Sequence, residues 1–171
     1  MTIKIHDKHP KTYVILGAPG TATSLISKAL EEQGIDMGNT KGYGRTKFYE
    51  NKEFEDLNKE IIEAAKKLEG TKDLPSEESI MAVDFEDKIK KIIKKHKGEF
   101  WGWKDPKNSL TLKKFLPHLE GDVYLICCFR KPYHLLHMYN WYRNRTRKEN
   151  RGIMNTNNRS IISIIKEFCK L

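Results

Sequence analysis

A segment of small and hydroxyl-bearing residues near the N-terminus has the composition of an anion-binding loop. It comprises Gly17, Ala18, Pro19, Gly20, Thr21, Ala22, Thr23 and Ser24. An apolar run at residues 12–16 precedes it, and a helical spacing of apolar residues begins at Thr23. Backbone N–H groups at such a strand-to-helix junction can bind phosphate oxygens, and hydroxyls can add donors. The segment therefore predicts a phosphate site, with a plain capped turn as the alternative.

The loop lacks the residue that nucleoside triphosphatases need. Their loop places Lys directly before Ser or Thr, and here that position holds Ala22 or Thr23. Hydrolysis of ATP or GTP, and an ordinary nucleotide kinase activity, are therefore disfavoured.

Two later segments extend the pattern. Residues 101–107 read Trp-Gly-Trp-Lys-Asp-Pro-Lys, and residues 128–132 read Cys-Phe-Arg-Lys-Pro. With the loop, their order and spacing resemble sulfotransferases that use 3′-phosphoadenosine 5′-phosphosulfate, in particular the microbial branch with a Trp-Gly-Trp-Lys-Asp-Pro-Arg signature. Residues 48–51 and 57–58 also resemble the middle segment of that branch, so the resemblance covers residue 12 to about residue 145.

The resemblance implies a role for each segment. Residues 17–24 would bind the 5′-phosphosulfate, and Arg130 would bind the 3′-phosphate, since a planar guanidinium can hold two phosphate oxygens. Lys104 matches the lysine that faces the sulfuryl group in relatives. A fixed ammonium there would stabilise the negative charge that develops on the bridging oxygen in the transition state.

A general base must also accept the proton of the acceptor hydroxyl. The sequence offers Glu50, Asp105, His134 and His137, and Glu50 lies where related families place a catalytic glutamate. The predicted catalytic set is Lys104, Glu50 and Asp105. No metal-ligand spacing is present, so no metal is expected.

Three departures from the family pattern predict slow or absent turnover. Gly20 stands where relatives have Lys or Arg, which removes the charge next to the leaving phosphate oxygen. Met138 replaces a serine of the 3′-phosphate site, and only residues 151–171 remain where relatives continue with further elements. A C-terminally truncated homologue is therefore expected.

The predicted function is transfer of a sulfuryl group to a hydroxyl or amine of a saccharide or small metabolite. One alternative is a catalytically inactive nucleotide-binding homologue, with 3′-phosphoadenosine 5′-phosphate as ligand. Another is a nucleic-acid-binding module, disfavoured because no recognised signature accompanies it. It is motivated by aromatic and basic residues that neutralise phosphates and stack on bases: Tyr139, Trp141, Tyr142, Arg143, Arg145, Arg147 and Lys148.

Alternating strands and helices position these residues. Buried strands are predicted at residues 12–16, 99–103 and 122–129, and a loop at residues 38–51. Helices are predicted from Thr23 to Gly34, across residues 54–70, 76–97 and 109–118, from Pro132 to Lys148, and over residues 161–168. The expected fold class is α/β, a P-loop-like three-layer fold with a small parallel sheet of about 3–5 strands flanked by helices.

Length and composition bound the remaining expectations. The 171 residues predict one domain, with residues 150–171 as a helical tail. The net charge of +9 lies entirely in residues 101–171, which carry 14 Lys and Arg against 5 Asp and Glu. No apolar run could span a membrane, and the polar N-terminus predicts a cytoplasmic protein. Cys127, Cys128 and Cys169 are predicted to be buried thiols, and a narrow sheet with an exposed edge favours a homodimer.

Overall fold

The structure is a computed structural model that describes residues 9–38, 40–43 and 46–137. The chain forms two compact units that divide between Cys128 and Phe129, and each is described by itself. In chain order, the elements of the first unit are β1 (Lys11–Leu16), α1 (Thr23–Glu32), β2 (Thr40–Tyr43), β3 (Thr46–Asn51), α2 (Lys52–Glu69), α3 (Glu77–Ala82), α4 (Glu86–His96), β4 (Phe100–Lys104), α5 (Asn108–Phe115), a 3₁₀ turn (Leu116–His118) and β5 (Asp122–Cys127).

Strands β4, β1 and β5 form a parallel sheet in that order. Its centre is β1, where Val14 and Ile15 are fully buried. The register aligns Ile15 with Lys104 on one side and with Ile126 on the other. The carboxyl ends of all three strands therefore lie at one edge of the sheet, which confirms the predicted α/β class with a small parallel sheet flanked by helices.

An aromatic cluster packs one face of the sheet. Phe54 of α2 packs against Trp101 and Trp103 of β4, and its ring stacks on Trp103 at 4.4 Å between centroids. Phe115 of α5 packs against Trp103 and Phe54. Aliphatic side chains of α2 and α4 complete this core. Because side chains alternate along a strand, Lys104 points to the opposite face, where α1 contacts β1 and β4.

Two predicted elements differ from the structure. Residues 40–43 and 46–51 form the antiparallel strand pair β2–β3 rather than a loop, since their mostly polar composition gives no strand signal in the sequence. The helix predicted over residues 76–97 is two helices, because Val83 is extended and ends α3. Helix α4 begins after Phe85, and the Asp84 carboxylate before it accepts from the Glu86 N–H at 3.1 Å.

The end of the third predicted strand also differs. Strand β5 stops at Cys127, and among the described residues it pairs only with β1. At this sheet edge Cys127 is exposed and Cys128 is half-buried, so the prediction of two buried thiols is wrong. The exposed edge carries Tyr124 and Leu125, and dimerisation through it stays a prediction.

In the second unit the structure describes residues 129–137, of which 132–137 are helical, as predicted for a helix after Pro132. The rest of that predicted helix, Met138, Cys169 and the predicted tail at residues 150–171 lie outside the described residues. In the part of the chain that is described, no helix has the length and apolar character to cross a membrane.

Candidate active site

The loop after β1 is fixed in a conformation that requires small residues. A side chain at Gly17 would place its Cβ 2.6 Å from the Cys128 carbonyl oxygen and 2.6 Å from the Thr21 hydroxyl. Gly20 has φ +90° and Ala22 has φ +70°, both in the left-handed region. For an alanine this conformation costs about 1–2 kcal/mol, so the surrounding structure imposes it.

The hydroxyl of Thr21 is used within the loop. It donates to the Ala18 carbonyl at 2.8 Å, and the Thr21 N–H donates to the same oxygen at 3.2 Å. Thr21 and Thr23 are both buried, so neither side chain is the open donor that the sequence suggested. The loop instead presents backbone, since no described residue accepts from the N–H of Gly20, Ala22 or Thr23. Helix α1 begins here without a side-chain cap.

Lys104 is the last residue of β4, and its ammonium is buried. Nζ lies 2.6 Å from Oε1 of Glu50, and the Lys104 side chain is 3% exposed against 25% for Glu50. Strand β1, which leads into the loop, is the neighbour of β4 in the sheet. The structure thus brings together two of the predicted catalytic residues, at the edge of the sheet from which the loop departs.

Glu50 is held by a strained backbone. Tyr49, which precedes it in β3, has φ +52°, and Tyr49 and Ala22 are the two non-glycine residues with positive φ in the described part of the chain. The Tyr49 carbonyl accepts from the buried Ser27 hydroxyl of α1 at 3.4 Å. Asn51, on the other side of Glu50, caps α2 by accepting from the Glu53 N–H at 3.0 Å. Both neighbours of Glu50 are therefore anchored to a helix.

Asp105, the third predicted catalytic residue, is fully buried. Its carboxylate accepts from the Asn58 amide at 2.9 Å and from the Lys107 N–H at 3.0 Å. By alternation along the chain it points to the α2 side, away from the face of Lys104. The structure therefore separates Asp105 from the Lys104–Glu50 pair.

Arg130 lies in the second unit and is exposed, as is His134. His134 and His137 both lie near the Tyr133 ring, at 5.6 Å and 6.5 Å between centroids. The predicted role of Arg130 in binding a 3′-phosphate stays a prediction.

Two groups close to the candidate site have shifted pKa values. Partial burial, and to a smaller extent Cys127, raises the pKa of the Cys128 thiol, which follows β5 beside Gly17. Hydrogen bonds from Lys95 and then His96 lower the pKa of Glu53 at the start of α2. Cys128 is therefore a protonated neighbour of the loop at neutral pH, and Glu53 is ionised.

A cavity of about 450 Å³ opens between α3, α4 and the end of α5, and it contains none of the predicted site residues. One of its polar side chains is already hydrogen-bonded within the protein, since Lys114 donates to the carbonyls of Met81 and Val83 at the end of α3. Within the described residues, no group of three or more His, Cys, Asp or Glu side chains could hold a metal ion.

The site contains polar residues whose importance was not evident from the sequence. Ser27 and Asn108 are fully buried and hydrogen-bonded to backbone carbonyls, of Tyr49 and Ile15 respectively. Asn58 belongs to the segment at residues 57–58 that resembles relatives. One signal was available: Asn58 occupies a position on the apolar stripe of α2, between Phe54 and Ile62 at helical spacing.

No protein-family model, curated protein or solved structure matches the chain.

Proposed function

We propose that this protein is a sulfotransferase-like enzyme that moves a sulfuryl group from 3′-phosphoadenosine 5′-phosphosulfate to a hydroxyl or amine of a small acceptor. The observation that supports it best is the buried Lys104 ammonium, paired with Glu50 at the sheet edge where the loop of residues 17–24 begins. A fixed cation, a carboxylate and a backbone-lined loop are the groups that such a transfer requires.

The loop would bind the phosphosulfate through backbone groups. Its glycines allow close approach of an anion, and the start of α1 adds the positive end of the helix dipole. The loop itself carries no Lys or Arg. The positive charge at this point would therefore come from Lys104, on the strand next to β1.

Glu50 is the best-placed general base. Its side chain is partly exposed, whereas Asp105 is fully buried. In the transfer, the acceptor oxygen forms a bond to sulfur while the bond from sulfur to the phosphate oxygen breaks. Glu50 takes the acceptor proton, and Lys104 stabilises the charge that develops on the departing phosphate oxygen.

The absence of a basic residue in the loop favours a second candidate function, in which the protein binds the nucleotide but does not catalyse sulfuryl transfer. Gly20 stands at that position with φ +90°, a conformation that a Lys or Arg would adopt only with strain. The structure thus gives no simple way for that position to supply the charge.

Binding is tested by calorimetry with 3′-phosphoadenosine 5′-phosphate at low salt, with adenosine 5′-monophosphate as the comparison ligand. Wild type should bind the bisphosphate more tightly, and Arg130→Ala should lose that preference. The control is Lys88→Met, which removes an exposed lysine on α4 and should bind as wild type does. If wild type does not bind the bisphosphate, both readings are wrong.

Turnover is tested by transfer of labelled sulfate from 3′-phosphoadenosine 5′-phosphosulfate to a panel of hydroxyl and amine acceptors. Lys104→Met should lower the rate by about 100-fold or more, with Lys88→Met unchanged. Binding of the bisphosphate without transfer by wild type would refute the enzymatic reading and support the inactive homologue.

A further inference from the structure

Four fully buried polar side chains form a connected network on the α2 side of the sheet edge. They come from α2, from the residue after β4 and from α5: Asn58, Asp105, Asn108 and Thr111. Asn58 Nδ2 donates to the Asp105 carboxylate at 2.9 Å and to Asn108 Oδ1 at 3.0 Å. Thr111 donates its hydroxyl to Asn58 Oδ1 at 2.7 Å.

The orientation of each amide in this network is determined. The Trp103 indole, which can only donate, lies 3.0 Å from Asn108 Oδ1, so the Asn108 amide nitrogen faces the Ile15 carbonyl at 3.3 Å. The Asp105 carboxylate can only accept, so it requires the nitrogen of Asn58. No alternative arrangement satisfies the same partners.

The network joins the two strands that carry the candidate site. Asn108 binds the Ile15 carbonyl, two residues before Gly17 and the loop. Asp105 directly follows Lys104, and its second oxygen accepts from the Lys107 N–H at 3.0 Å, which fixes the turn after β4. A shift of Asp105 would therefore rotate the backbone at Lys104.

Buried polar networks contribute little net stability compared with apolar packing of the same volume, and they specify one geometry. This one includes Asp105, the residue that follows Lys104, and lies on the α2 side of the sheet edge. We infer that Asp105 is a positioning residue, held by Asn58 and by the N–H and ammonium of Lys107, that keeps the Lys104 ammonium against Glu50 and toward the loop. The expected effect on kcat rests on the proposed function, whereas the expected effect on the position of Lys104 rests on the network alone.

The test combines two readouts on the full chain. The first is acylation of lysines by a small amine-reactive reagent followed by mass spectrometry, with the exposed Lys88 as internal reference. The second is the sulfuryl-transfer assay, resolved into kcat and KM for the nucleotide. Circular dichroism establishes that each variant is folded.

Asp105→Asn replaces one carboxylate oxygen with a donor that faces the Lys107 N–H. Labelling of Lys104 relative to Lys88 should rise about fivefold or more, and kcat should fall about 10–100-fold with little change in KM. Thr111→Val leaves the Asn58 carbonyl without its donor and should raise Lys104 labelling by a smaller factor. The control Thr12→Val alters a buried hydroxyl of β1 that has no partner among the described residues, and should change neither readout.

The decisive variant exchanges the two groups. Asn58→Asp combined with Asp105→Asn places the carboxylate on α2 and the amide after β4, so the bond between them can re-form. Protection of Lys104 and kcat should both recover in part, because the bond between positions 58 and 105 re-forms whereas a carboxylate at position 58 cannot donate to Asn108 Oδ1.

The alternatives give different results. If Asp105 were the general base, the exchange would not restore transfer, and Lys104 would stay protected in Asp105→Asn; that result overturns the inference. Unchanged Lys104 labelling in Asp105→Asn and Thr111→Val also overturns it. If wild type shows no transfer, the proposed enzymatic function fails, while the labelling still decides whether the network positions Lys104.

Discussion

Lys104 and Glu50 form an ion pair with very unequal burial, which predicts unequal costs when either partner is removed. The Lys104 side chain is 3% exposed and the Glu50 side chain is 25% exposed. In Glu50→Leu the ammonium stays buried without its carboxylate. In Lys104→Met the apolar stem is preserved, and the remaining carboxylate can turn toward water.

The magnitudes follow from the cost of an unpaired buried charge. Removing one partner of a buried pair costs about 3–5 kcal/mol, and the low end, about 3 kcal/mol, applies to Glu50→Leu because water reaches this pair. Lys104→Met should cost about 1 kcal/mol, since it loses one charge-assisted hydrogen bond and removes a buried charge. The double variant should also cost about 1 kcal/mol, because an apolar pair of similar volume replaces the ions.

The assay is urea unfolding of wild type, both single variants and the double variant, followed by tryptophan fluorescence. The buried Trp101 and Trp103 report on the same strand as Lys104. Circular dichroism must give the same transition for the free energies to be comparable. Independent side chains would give about 4 kcal/mol for the double variant, so the expected coupling is about 3 kcal/mol. Equal costs for the two single variants, or an additive double variant, would refute the assignment of a buried, coupled pair.

Three further predictions concern the surroundings of the site. Gly17→Ala should destabilise the protein by about 1–3 kcal/mol and weaken nucleotide binding in calorimetry, because its Cβ would lie 2.6 Å from the Cys128 carbonyl oxygen. The control Gly98→Ala, where a Cβ has ordinary contacts, should change neither stability nor binding. Phe54→Ala should cost about 3–5 kcal/mol in urea unfolding, since the ring is fully buried against Trp103, and a loss below 1 kcal/mol would contradict that packing. Glu53 has a lowered pKa in the folded state, so its stabilising effect is present above the unfolded pKa and is lost as pH falls through the folded pKa. Glu53→Gln should therefore lower the urea midpoint at about pH 7 and flatten its decline between about pH 5 and pH 3; an unchanged pH profile would be inconsistent with the Lys95 and His96 contacts.

The sheet was predictable because its strands are short apolar runs. The Tyr-Val-Ile-Leu run of β1 and the Trp-Gly-Trp segment of β4 are short and rich in β-branched or aromatic residues, which favours buried strands. The break between α3 and α4 was not predicted, since the apolar period continues across it from Ile80 to Ile89. The strand pair β2–β3 was not predicted because its strands lack an apolar face in the sequence.

The individual residues of the candidate site could be predicted from the sequence, but the contacts between them could not. Lys104 and Asp105 stand in a recognisable motif, and Glu50 lies in the segment that resembles relatives. Their partners depend on tertiary structure: Glu50 lies 54 positions from Lys104, and Asn58 lies 47 positions from Asp105. No local pattern fixes such pairings, so the sequence alone could not show that Glu50 contacts Lys104 whereas Asp105 contacts Asn58.

The segment Trp101 to Asp105 serves two sides of the sheet because side chains alternate along a strand. Trp101, Trp103 and Asp105 point toward α2, where the first two pack in the aromatic core and the third joins the polar network. Lys104 points to the other side and meets Glu50. A one-residue slip of β4 relative to β1 would bury the ammonium in the aromatic core and expose a tryptophan, so the hydrophobic packing also fixes the direction of Lys104. The core and the candidate site are therefore specified by the same five residues, and loosening Phe54 against Trp103 should increase the labelling of Lys104 as well as reduce stability.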